Sequence, residues 1–136
     1  MSKKNKIDKD TWNLFAVISQ FVLPRLKRFK KLTNGYPIGM TEKQWDVILD
    51  KMIFSMDFYV NDGENKLFKK YPFPLKKWDE CREDNPEKPG FKTYKPNYNK
   101  EEMKLVNKNI KESKKIYKKI QEGFELFGKY FTNLWW

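Results

Sequence analysis

The segment TEKQWDVILDKMIFSM, residues 41–56, decides the fold because it carries both a helix start and a helical apolar repeat. Thr41 and Gln44 have the spacing of a capping box, in which each side chain accepts from the other residue's backbone N–H. Apolar residues then follow at the three- and four-residue spacings of one helix face. They are Trp45, Ile48, Leu49, Met52, Ile53 and Met56. The segment predicts an amphipathic helix that ends near residues 61–63 and is rich in Asp and Glu.

A second helix is predicted upstream, from Asp10 or Thr11 to about residue 33. Apolar residues recur on one face of it, and Pro24 within the pattern predicts a kink or a division into two helices. Basic residues then dominate its second half. They are Arg25, Lys27, Arg28, Lys30 and Lys31. We expect this basic helix to pack beside the acidic one.

A long C-terminal helix is predicted from Asn99, which forms a second capping box with Glu102. Its apolar residues alternate at spacings of three and four as far as Leu134, with one polar exception at Ser113. Such a heptad pattern predicts a helix of about 50 Å that packs as in a coiled coil. That length exceeds what two shorter helices cover, so we predict a homo-oligomer through the C-terminal helix. Trp135 and Trp136 are expected to dock on the core or on a partner.

The remaining segments complete an all-α prediction. Residues 1–9 are predicted to be a disordered basic arm, and residues 10–136 a single helical domain. Residues 64–98 carry five prolines, yet they are too aromatic for a free linker. We interpret them as an ordered aromatic and proline-rich loop with one short helix around Leu75 to Cys81.

Composition limits the function. The chain of 136 residues has a net charge of +11, which favours anionic partners, although simple solubility is an equally good explanation. It has no His and one Cys, so no metal site, cofactor or internal disulfide is predicted. No signal peptide or membrane span is expected, which predicts a cytoplasmic protein without a membrane partner.

Enzyme activity is not predicted, because no catalytic motif is present. The nearest approach to one combines Asp57 or Asp62 with Glu64 and Lys66, as in the Asp…Glu-x-Lys pattern of many nucleases. That chemistry needs the Glu-x-Lys on a strand, and here it follows a helix.

Six residues are predicted to contact an anionic ligand. They are Arg25, Arg28, Lys31, Tyr36, Lys115 and Lys118. The cationic side chains suit phosphate groups, and the Tyr36 ring suits stacking on a base. Lys115 and Lys118 lie off the heptad seam and should point outward. For the basic residues of the upstream helix and for those of the C-terminal helix, the alternative interpretation is a solvated helix face.

Four stretches resemble a family of small uncharacterised proteins encoded by bacteriophages and prophages. They are FVLPRLKRF at residues 21–29, GYP at 35–37, TEKQWDVILDKMIF at 41–54 and IQEGFELFGKYFTNLW at 120–135. The resemblance covers about half of the chain and carries over no functional residue. It implies a phage or mobile-element context.

In that context the leading hypothesis is a host-defence inhibitor that sequesters a nucleotide immune signal in the host cytoplasm. Two alternatives remain open. One is a nucleic-acid-binding accessory protein that uses the same basic surface. The other is a protein-interaction module that inhibits a host protein through its apolar C-terminus.

Overall fold

The computed structural model describes residues 3–75 and 78–135, with their side chains except those of residues 3, 4, 78 and 79. Its helices are α1 (Lys3–Thr11), α2 (Leu14–Leu32), α3 (Glu42–Val60), α4 (Gly63–Lys70), α5 (Trp78–Cys81) and α6 (Lys100–Lys129). A 3-10 turn at Phe131–Asn133 follows, and strands β1 (Arg82–Asp84) and β2 (Lys92–Tyr94) form an antiparallel pair. The all-α prediction is confirmed, and Trp136 lies outside the described residues.

The chain divides into two compact units. One comprises Met1–Lys66 together with Lys115–Trp136, and the other comprises Leu67–Lys114. Helix α6 contributes residues to both units.

The core of the first unit lies between α2 and α3. Leu26, Trp45, Leu49 and Met52 are almost fully buried there, and burial of each such side chain is worth about 1.5–3 kcal/mol. At the edge of this packing, Lys30 Nζ lies 2.6 Å from Asp50 Oδ1. The predicted pairing of the basic helix with the acidic one is therefore confirmed.

Helix α6 approaches α3 closely in the same unit. The buried Ser55 hydroxyl donates to the Ile120 carbonyl oxygen at 2.7 Å, and Gly123 lies against the same serine. A glycine permits this approach because any Cβ at position 123 would overlap Ser55 Oγ and the Lys51 carbonyl oxygen.

Both predicted capping boxes are present. The Gln44 amide donates to Thr41 Oγ1 at 3.2 Å, and the Thr41 amide donates to Gln44 Oε1 at 2.9 Å. At the start of α6 the Glu102 amide donates to Asn99 Oδ1 at 2.8 Å, and the Asn99 amide donates to Glu102 Oε1 at 3.1 Å. These bonds fix where α3 and α6 begin.

The N-terminal region differs from the predicted disordered arm, because α1 covers most of it. Residues 3–11 contain no Gly or Pro and include several good helix formers. A turn at residues 12 and 13 then separates α1 from α2, which begins at Leu14 instead of near Asp10. Pro24 lies inside α2, and the helix continues through it without dividing.

The segment interpreted as a loop over residues 64–98 is more regular than predicted. It contains most of α4 and a β1–β2 hairpin, in whose turn Asn85 Oδ1 accepts from the Glu87 amide at 2.9 Å. The short helix α5 lies where one was predicted. The Tyr98 hydroxyl donates to the Pro74 carbonyl oxygen at 3.0 Å. An aromatic side chain therefore links two segments within the second unit. Helix α6 ends at Lys129, earlier than its apolar pattern indicates.

Candidate functional site

The loop between α2 and α3 is held at both ends. At the end of α2 the Thr33 amide donates to the Phe29 carbonyl oxygen at 2.9 Å, and Thr33 Oγ1 donates to the Gly35 carbonyl oxygen at 3.2 Å. Before α3, Gly39 has a φ of +90°, a conformation that favours glycine. The Thr41 capping box follows directly. These contacts hold Tyr36 in a short, defined loop.

This loop forms one side of a cavity of about 420 Å³, which we call the ring pocket. It is lined by residues 33–38, Trp45, Asn133 and Trp135. Tyr36 is 53% exposed and Trp135 is 75% exposed, so both rings offer free faces. Trp45 is only 2% exposed and packs edge to face on Tyr130, with ring centroids 5.6 Å apart. The pocket therefore combines two exposed rings, those of Tyr36 and Trp135, with the buried ring of Trp45.

A second cavity, of about 660 Å³, adjoins the ring pocket, and we call it the lysine groove. The two share residues 33–35 and Trp45. The groove is lined by three lysines and three carboxylates. They are Lys27, Lys30, Lys31, Glu42, Asp46 and Asp50. Lys30 is paired with Asp50. The other charged residues of the lining are two lysines, Lys27 and Lys31, and two carboxylates, Glu42 and Asp46.

A third cavity, of about 870 Å³, contains Arg25 and Arg28 and is called the arginine groove. Its other lining residues are apolar. They are Phe21, Val22, Pro24, Leu26, Phe29, Leu32, Phe127, Leu134 and Trp135. The Arg25 guanidinium lies 3.8 Å from the Phe21 ring centroid and donates to the Phe21 carbonyl oxygen at 2.8 Å. This groove is thus apolar at its base and cationic at its rim.

The six predicted contact residues consequently lie in three places. Lys31 and Tyr36 line the adjoining lysine groove and ring pocket, whereas Arg25 and Arg28 line the arginine groove. Lys115 and Lys118 are exposed on α6, as predicted, and line none of these three cavities. The prediction omits Lys27, Trp45 and Trp135 from the site. Trp45 has the helical spacing of a core residue, and no local pattern places Trp135 beside residues 33–38.

The nuclease-like pattern has a helical setting. Glu64 and Lys66 lie in the first turn of α4, and Asp57 Oδ1 accepts from Asn61 Nδ2 at 2.5 Å. Within residues 3–75 and 78–135, His, Cys, Asp and Glu side chains form no group of three that could hold a metal ion. None of the helices in those ranges has the length and apolar character needed to cross a membrane.

Electrostatic effects on tyrosines are concentrated near α4. Burial raises the pKa of Tyr117, and the nearby Glu64 carboxylate raises it further. The pKa of Tyr59 is raised by the same two causes, in the same order.

Comparison with known proteins gives no relative: no family model, curated protein or solved structure matches the chain.

Proposed function

We propose that this protein is a non-catalytic binding protein that sequesters a small anionic nucleotide. The base occupies the ring pocket and the phosphate contacts Lys27 and Lys31. One observation carries the proposal: the ring pocket and the lysine groove adjoin through residues 33–35 and Trp45. A single ligand with an aromatic and an anionic end therefore reaches both.

The aromatic end has suitable partners in Tyr36 and Trp135. Stacking of a base on an aromatic side chain is worth about 1–3 kcal/mol. The two rings are exposed before binding, and a stacked base removes apolar surface from water. The ring pocket, at about 420 Å³, is within the usual size range of small-molecule sites.

The anionic end is matched by Lys27 and Lys31. These residues are four positions apart on α2, so they lie on the same face of the helix. Each ammonium group donates charge-assisted hydrogen bonds, which are about twice as strong as neutral ones. One phosphate can bridge the two side chains.

The carboxylates of the lysine groove restrict the ligand. Glu42 and Asp46 balance the charges of Lys27 and Lys31 in the groove lining, so they oppose a long polyphosphate or a nucleic-acid backbone more than one phosphate held between the two lysines. This mixed lining favours a small nucleotide over a duplex. The nucleic-acid alternative uses the same basic surface, to which Lys115 and Lys118 of α6 belong.

The phage resemblance supplies the biological setting of the proposal. Removal of a nucleotide immune signal from the host cytoplasm inhibits host defence and requires tight binding without catalysis. The predicted homo-oligomer belongs to the same proposal. Met103 and Ile110 support it, because they belong to the apolar three- and four-residue pattern of α6 and are nevertheless exposed.

The proposal is tested by native mass spectrometry of freshly purified protein, followed by calorimetry with a panel of mononucleotides and cyclic dinucleotides. We expect Lys31→Gln and Tyr36→Ala each to weaken binding about 10- to 100-fold, because each removes about 1.5–3 kcal/mol of charge-assisted or stacking interaction. Lys114→Gln makes the same charge change at an exposed position of α6 and should bind as the parent protein does.

Two outcomes contradict the proposal. One is the absence of binding to every member of the panel. The other is chemical conversion of the bound nucleotide, which chromatography of the recovered ligand detects. Binding to generic duplex DNA with a steep salt dependence supports the nucleic-acid alternative instead.

A further inference from the structure

The arginine groove is distinct from the lysine groove and shares Trp135 with the ring pocket. Its α2 side runs from Phe21 to Leu32, about 17 Å along the helix. Phe127 and Leu134 line the groove from the other side. We infer that this groove binds an amphipathic helix of a protein partner whose flanking residues are acidic.

The exposed apolar face extends beyond the groove along α2. Leu14, Ile18 and Phe21 follow one another at spacings of four and three residues, so they share a helix face. Their side chains are 51%, 45% and 60% exposed. Contiguous exposed apolar surface of this kind marks interaction sites.

A helix is the occupant that the groove's surroundings favour. Apart from Leu134 and Trp135, the groove is lined by residues of α2 and α6, whose backbone N–H and C=O groups are largely paired within the helices. An extended peptide placed there would bury backbone groups without partners, which costs free energy. A helix satisfies its own backbone and presents apolar anchors at three- and four-residue spacings.

The charge of the partner follows from Arg25 and Arg28. Both arginines are exposed, and within the described part of the chain neither has a carboxylate partner, although the Arg25 guanidinium also contacts Phe21. An arginine guanidinium donates two parallel hydrogen bonds to one carboxylate. Asp or Glu beside the apolar anchors therefore complements this rim, whereas Lys repels it.

The test uses a fluorescent, helix-stabilised peptide of about 15 residues with Leu anchors and flanking Glu. Its matched control replaces each Glu with Lys. Anisotropy titrations should show the acidic peptide binding at least about tenfold more tightly, since two rim pairs change from attractive to repulsive. Equal affinity for the two peptides, or no binding of the acidic one, overturns the inference.

Protein variants make the test specific to the groove. Phe21→Ala should weaken the acidic peptide about tenfold, whereas Phe91→Ala, at a similarly exposed position of the β1–β2 turn, should not. Arg28→Glu should reverse the preference so that the Lys peptide binds better. Failure of that reversal in a variant with unchanged circular dichroism contradicts the inference.

The same variants separate this inference from the proposed nucleotide site. Arg28→Glu should leave nucleotide binding intact, and Lys31→Gln should leave peptide binding intact. If Arg28→Glu dissociates an oligomer in light scattering, a second copy of the chain fills the groove and the inference is wrong.

Discussion

The pKa of Tyr117 depends on two features of its surroundings, its burial and the Glu64 carboxylate. Burial and the Glu64 carboxylate both favour the neutral phenol in the folded protein, so its pKa exceeds the ordinary value of about 10. The unfolded chain releases this proton first. The contribution of Tyr117 to stability is therefore complete below pH 10 and is lost as pH rises from there through the folded-state pKa.

We predict that Glu64→Gln lowers the pKa of Tyr117 towards its ordinary value, because it removes a neighbouring negative charge. The pKa is read from the pH titration of isotope-labelled tyrosine rings by NMR, with Tyr117→Phe to assign the signal. Glu87→Gln, in the hairpin turn, is the control for loss of one carboxylate. An unchanged Tyr117 titration in Glu64→Gln would show that the carboxylate has no influence on it.

At the scale of elements, the contact between α3 and α6 depends on Gly123. We predict that Gly123→Ala lowers the free energy of unfolding by about 1–3 kcal/mol, because the new methyl group meets Ser55 Oγ and the Lys51 carbonyl oxygen. Gly128→Ala is the matched control on the same helix, since a Cβ there meets nothing within 4 Å. It should stabilise the protein by about 0.5–1 kcal/mol through helix propensity. Urea unfolding measures both, and equal effects of the two substitutions would contradict this account.

The elements that local sequence determines were predictable. Thr41 with Gln44, and Asn99 with Glu102, mark helix starts through bonds between residues three positions apart, and both helices begin there. Helix α1 was missed because its charged composition resembles a disordered arm. The β1–β2 hairpin was missed because its strands have three residues each, too few for a periodic signal.

The candidate site was predictable only in part, because local sequence patterns indicate some of its residues and tertiary structure brings in the others. Lys31 and Tyr36 lie at a helix end and in the following turn, where local patterns are informative. Trp45 has the spacing of a core residue and also forms a pocket wall. Trp135 reaches the pocket from the far end of the chain, so only tertiary structure reveals it.

At the scale of the whole molecule, the two units differ in how much they bury. The first holds the fully buried Leu49 and Met52, whereas Leu67 and Cys81 are the described hydrophobic residues most buried in the second. Regions with few buried apolar contacts open more readily. We predict that amides of the β1–β2 hairpin exchange with deuterium at least about tenfold faster than those of α3. Equal protection in hydrogen-exchange mass spectrometry would show that both units unfold together.

Trp135 lines both the ring pocket and the arginine groove. Where two ligands are coupled through one side chain, each changes the affinity of the other by the same factor. Under the two proposals made above, a partner helix that moves the Trp135 indole changes the affinity for the stacked base, and the base changes the affinity for the helix by the same factor. The two proposals together therefore imply that nucleotide concentration regulates partner binding, with the Trp135 indole as the shared contact.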